Sequence, residues 1–153
     1  LKIENGDAYA LGFHLLSAFP YVVTDLGTGA SEADIATARA RDQVPEWIRL
    51  YEGKRVALTG FMMPLQFENG VCRKFVMMRD TNTCCYGATP NMNDYVVVEM
   101  KGKGITPIAD VPVELVGTFR IEEKFEGGYQ VSLFVMDGEK FLGAKKAGAG
   151  GGR

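Results

Sequence analysis

Val111-Pro112-Val113-Glu114-Leu115-Val116-Gly117-Thr118-Phe119-Arg120-Ile121-Glu122 is the stretch whose reading decides the fold. From Val111 to Ile121 the odd positions are apolar, with Gly117 the one gap. Glu114, Thr118, Arg120 and Glu122 take alternate places. A period of two belongs to an extended chain with one face buried. Gly127-Gly128 then turns the chain, and Tyr129, Val131, Leu133 and Val135 continue the alternation on a returning strand.

The same period appears upstream. Val56, Leu58, Gly60 and Met62 alternate with Ala57, Thr59, Phe61 and Met63, and Pro64 is expected to end that strand. Glu68-Asn69-Gly70 is a hairpin signal. Residues 71–79 form the next strand and residues 95–100 a third, with loops at 80–94 and 101–110 between them. Gly60 and Gly117 stand inside strands, where glycine marks coiling or a bulge. The expectation is a mainly β domain over residues 53–142, a small five-stranded OB-like barrel. A small β-sandwich is the alternative.

Residues 1–52 read as an extension with two short helices packing on the barrel. Residues 1–30 read as irregular, with an apolar run from Phe13 to Val23 broken at Pro20. Ser31 and Asp34 have capping-box spacing and open a helix to about residue 42. Pro45 suits the first turn of a second helix. Trp47, Leu50 and Tyr51, at i, i+3 and i+4, are expected to face the core, and Gly53 to stop the helix. Residues 143–153 form a Gly/Ala-rich tail, too poor in apolar groups to repay its own ordering.

The 153 residues suit one domain, and 46% hydrophobic with 24% charged residues is ordinary globular composition. The net charge is −2 and the sequence pI about 5.5, so a basic stripe for phosphates is lacking and nucleic acid is not an expected partner. Glu99, Glu114, Glu122, Glu123 and Glu126 crowd the strands and count further against it. Arg39–Arg41 and Lys145–Lys146 read as solvated surface. No apolar run reaches the roughly 18–20 residues of a membrane span. The sequence opens on Leu1, which implies either processing or a missing start. An export signal or lipid anchor ahead of it is therefore left open.

The chain has three cysteines, Cys72, Cys84 and Cys85, too few for a disulfide scaffold and odd in number. The adjacent pair lies in the long loop before the third strand, where functional residues concentrate. Vicinal disulfide, redox thiol pair and soft-metal site compete there with plain packing, copper or zinc being the metals and nearby methionines the further ligands. Adjacent methionines, Met62 with Met63 and Met77 with Met78, should point to opposite faces, one core and one outer. His14, the single histidine, has no ligand partners at a familiar spacing, and reads as structural before it reads as a base for Cys84 or Cys85. No phosphate loop, nucleophile elbow or zinc-protease motif is present, so no catalytic residue is assigned. Phe61, Tyr86, Pro90, Lys145 and Lys146 are taken as interaction candidates.

Several blocks agree in order with one known family. They are Val44-Pro45-Glu46-Trp47-Ile48, the run from Gly53 to Leu65, Lys74-Phe75-Val76-Met77-Met78, Cys84-Cys85-Tyr86-Gly87-Ala88-Thr89-Pro90, and Pro112-Val113-Glu114-Leu115-Val116-Gly117-Thr118. Together they resemble the domain of unknown function 3299 family over residues 13–141. The resemblance implies a bacterial exported protein or lipoprotein, in some members beside exporter-type transporter components. One branch has Cys-x-His followed by prolines at the place of Cys85; here Gly87 replaces that histidine. The resulting expectation is a non-catalytic, periplasmic or otherwise exported accessory or scaffolding subunit with protein partners in a membrane-associated complex and no cofactor. The alternative is a metal-binding or thiol-redox protein using Cys84 and Cys85, with Cys72.

Overall fold

A computed structural model of the chain describes residues 2–3, 6–21, 43–80, 92–126 and 129–144. The helix expected over residues 31–42 lies outside them, as do Cys84, Cys85, Tyr86, Pro90, Lys145 and Lys146.

The described chain is mainly β. A two-stranded ladder, β1 (Lys2–Ile3) with β2 (Gly6–Asp7), precedes β3 (Tyr9–Leu11). One-turn helices α1 (Phe13–Leu16) and α2 (Glu46–Arg49) lead into β4 (Arg55–Glu68), β5 (Val71–Met78), β6 (Tyr95–Met100), β7 (Val113–Glu126) and β8 (Tyr129–Ala144). β3 to β8 form one six-stranded mixed sheet in the order β3-β4-β5-β6-β8-β7, and a further pairing of β4 with β7 closes the hydrogen bonding into a ring. Most pairs are antiparallel. β6 runs parallel to β8, from Val97 opposite Val135 to Met100 opposite Gly138, and β3 runs parallel to β4.

Five strands were expected in the sheet, and the sixth is Tyr9–Leu11, from the part read as irregular. Three residues are too few to display a period. Their place is fixed by the partner: β5 stops at Met78 opposite Phe61, and β3 pairs with Val56–Leu58 beyond that point. Pro64 does not end its strand either. β4 continues to Glu68 through register shifts around Gln66, irregularities where a proline without N–H is tolerated. Asn69 and Gly70, with φ of 56° and 79°, make the tight turn into β5, as their sequence signals.

Glycine decides the closest backbone approach. A Cβ on Gly117 would lie 2.3 Å from the Asp137 carbonyl oxygen and 3.0 Å from Gly138 Cα, at a register shift between β7 and β8. The bulge read from the sequence is therefore a place where two main chains touch.

Phe75, Phe119, Phe134, Leu133, Met77 and Met136 are fully buried and fill the interior, with Phe119 and Phe134 rings 5.5 Å apart. Leu16 and Ile48 add two more fully buried side chains from outside the sheet. Met77 and Met78 are both buried, so the outer side of β5 is covered there, contrary to the expectation of one exposed partner.

The face that α2 buries differs in part from expectation, although Tyr51 packs partly buried against the core as its spacing predicts. Ile48 is completely buried, with Val44 four residues before it, while Trp47 is 42% and Leu50 62% exposed. A helix of one turn carries no stripe long enough for the 3.6 period to choose a face. Trp47 meets Phe19 edge-on, at 6.4 Å. Gly53, at φ of 80°, then ends the segment as expected, and its N–H donates to the Phe119 carbonyl at 2.8 Å.

Candidate functional site

The long β7–β8 hairpin carries charges along one side. Arg120, Glu122, Lys124 and Glu126 occupy every second position of β7, and strand geometry puts such residues on a common side except where the register shifts. Opposite them β5 and β6 contribute Lys74, Val97 and Glu99, and β8 contributes Val131, Ser132 and Val135. With Leu65 of β4 these residues line an open groove of about 290 Å³. A second cleft of about 480 Å³, lined by Gln66, Glu68, Val71 and Arg73, shares Glu99 with it.

The lining is held from below. Arg120 grips Asp137 through two bonds, Nε to Oδ2 at 2.9 Å and Nη2 to Oδ1 at 3.2 Å. Its Nη1 lies 3.5 Å from Glu122. The hydrogen bond to Asp137 is the main reason the guanidinium holds its proton even more firmly than usual, and partial burial opposes it. Ser132 Oγ donates to the Glu122 carbonyl at 2.9 Å, and the Gln130 amide donates to the Ser132 carbonyl at 3.0 Å. Tyr95 hydroxyl donates to the Val131 carbonyl at 3.0 Å. Burial pushes the Tyr95 phenol above its usual value, so it stays a neutral donor. Among the described residues, Lys74, Lys124, Glu99 and Glu126 have no ion pair within 4 Å.

A network elsewhere ties the lead-in to the ring. Ser17 Oγ donates to the Asn93 carbonyl at 2.9 Å, and Asn93, almost fully buried, donates to the Phe19 carbonyl at 2.7 Å. Tyr21 hydroxyl lies 2.9 Å from both Glu123 Oε2 and Gln130 Oε1. These groups are structural ties and leave no side chain aimed at open space.

The residues singled out in the sequence do not gather into one place. Cys72 is a free, fully buried thiol that donates to the Lys74 carbonyl at 2.9 Å. It packs as a small hydrophobe with a satisfied donor. Phe61 is half-buried on β4, opposite Met78. His14 is exposed and lines a different cleft of about 310 Å³ with Leu11, Thr59 and Glu114; Cys72, the one described cysteine, is not among its lining residues. Among the described residues no three His, Cys, Asp or Glu side chains cluster as a metal set. Cys84 and Cys85 lie outside those residues, as do the interaction candidates Tyr86, Pro90, Lys145 and Lys146. The groove itself was missed. Its glutamates were counted only as a repulsive crowd, although the alternation of Arg120, Glu122, Lys124 and Glu126 is a sign of two-signed charge along one strand.

The sequence profile of a protein family of unknown function, DUF3299, matches residues 23–141. The chain belongs to the DUF3299 family. A crystal structure of a DUF3299 protein from Pseudomonas aeruginosa PAO1 is similar, with a TM-score of 0.64 and 19% identity over 94% of this chain and 100% of that one. At that identity the likeness is one of fold. Among curated proteins none matches. Within this DUF3299 chain no helix of the described residues is long and apolar enough to cross a membrane.

Proposed function

We propose that this DUF3299 protein is a non-catalytic accessory or scaffolding subunit, built on an OB-like barrel, that docks onto a protein partner through its charged groove. The observation that carries the reading is the groove's makeup. Leu65, Val97, Val131 and Val135 line it together with charges of both signs, and among its described lining residues there is neither a cysteine nor a histidine. Enzyme sites place a nucleophile or general base within hydrogen-bond reach of its partner. Here the hydroxyl, Ser132, is spent on a main-chain carbonyl. The strand order β4-β5-β6-β8-β7 with a parallel β6–β8 pair supports the OB-like description. An exported setting, in an envelope or membrane-associated complex, is drawn from the family resemblance. The thiol or metal alternative rests on Cys84 and Cys85 and gains nothing from Cys72.

The test is a native mass spectrum of the protein released gently from its own cells. Companion chains, and a mass well above 16.7 kDa, are expected. A lone chain at 16.7 kDa would remove the subunit reading.

A further inference from the structure

The geometry points to one class of occupant for the groove over β5, β6, β8 and β7: an extended peptide segment of a protein partner that bears both a basic and an acidic side chain. The inference rests on the docking reading above and gives it a ligand chemistry.

Three features carry it. The first is the apolar lining: Val97, Val131, Val135 and Leu65 line the groove, and Leu65 stands 47% exposed. Apolar side chains of an incoming strand would cover them, and alternate residues of an extended chain point the same way. The second is charge. Lys74 and Lys124 oppose Glu99 and Glu126, and none of the four has an ion pair among the described residues. A polyanion would meet the two carboxylates, a polycation the two ammonium groups, and a neutral apolar ligand would leave all four facing it unpaired. Only a segment with both signs complements the rim. The third is length. Five strands, counting β4 with Leu65, spaced at about 4.8 Å span about 19 Å, the reach of about six extended residues. A peptide segment fits that span.

The experiment uses the full chain and three labelled hexapeptides that share valine at alternate positions. One has lysine and glutamate at the others, one only lysine, one only glutamate. Affinity is read by fluorescence anisotropy, and position by methyl NMR shifts of Val97, Val131 and Val135. The mixed peptide is expected to bind at least tenfold more tightly than either single-sign peptide, with shifts confined to those valines. In the Lys74→Glu, Lys124→Glu double variant the preference should turn to the all-lysine peptide, an outcome that loss of folding cannot mimic. Equal affinity for all three peptides, no shift at these valines at millimolar peptide, or shifts that appear on raising protein concentration alone would each overturn the inference. The last of these would mean a second copy fills the groove. If native spectra show companions that stay bound to the double variant, the subunit reading stands and this inference falls. If the peptide binds as expected and the protein is isolated alone, the reverse holds.

Discussion

The two faces of β6, β7 and β8 differ in what specifies them. Inward, Val96, Val98, Phe119, Leu133 and Met136 have no exposure, and their neighbours are other side chains on every side. Outward, Val97, Glu99, Arg120 and Glu122 border an open groove. The inner face is constrained by volume, because a packed interior leaves no slack for a missing or added methylene. The outer face carries charges of both signs beside an open groove. If the groove is the docking surface proposed, residues one position apart have different roles: a change inside should move stability, a change outside binding.

The contrast breaks most sharply at Phe134. Its ring is fully buried and contacts both Phe119 and Phe19, at 5.5 and 6.5 Å between ring centres. Phe134→Ala should cost about 3–5 kcal/mol, read as a lower urea midpoint. The groove change Glu122→Gln should leave that midpoint within about 0.5 kcal/mol of the parent. Equal losses would mean the outer charges are part of the fold and not a surface added to it.

Next comes Gly117→Ala. The new methyl would meet the Asp137 carbonyl and the Gly138 Cα, both main-chain atoms that cannot rotate away. Overpacking of this kind costs about 1–3 kcal/mol. Because Asp137 holds Arg120 from the same place, the displacement should also disturb the groove. Thermal melting checks the first effect, and peptide binding the second. A variant as stable as the parent would show that the β7–β8 bulge has room.

Tyr95 sits between the two faces, and it sharpens the comparison through pH. Burial raises its folded-state pKa above the ordinary value of about 10.0, so the folded chain keeps the proton that the unfolded chain gives up. Its contribution is complete below about pH 10 and is lost as pH rises through the folded value. Tyr95→Phe removes the bond to the Val131 carbonyl, at a cost of about 1 kcal/mol near neutral pH. It should also flatten the fall in stability above about pH 10, measured by urea titration. If parent and variant fall in parallel, Tyr95 is open to water when the protein is folded.

How legible all this was in the sequence depends on run length. The stretch from Val113 to Ile121 repeats its period often enough to declare a strand and its inner face, and Leu115 and Phe119 are buried as that face requires. Asn69-Gly70 declares a turn because only a few residue types tolerate its positive φ. Tyr9–Leu11 declares nothing, since its pairing depends on where another strand ends. The groove lies in between. Each of its charges is visible in the sequence, but their convergence comes from the parallel β6–β8 pairing that sets β5 and β6 beside the β7–β8 hairpin. A list of carboxylates cannot reveal that cations stand among them.

The smallest expected effect falls on α2, where the periodic reading and the structure agree on Tyr51 and disagree on Leu50. If Leu50 faced the core, Leu50→Ser would cost about 2–5 kcal/mol, as other buried leucine truncations do. In the structure Leu50 is 62% exposed, and its N–H still donates to the Glu46 carbonyl, a bond that serine keeps. The expected change is within about 0.5 kcal/mol. Two positions earlier, Ile48→Ala removes a completely buried side chain and should cost several times more. Measuring the two variants side by side separates the alternatives without reference to function. If Leu50→Ser proves the more damaging, α2 is turned by about half a revolution from the arrangement described. The extension would then present a different face to solvent.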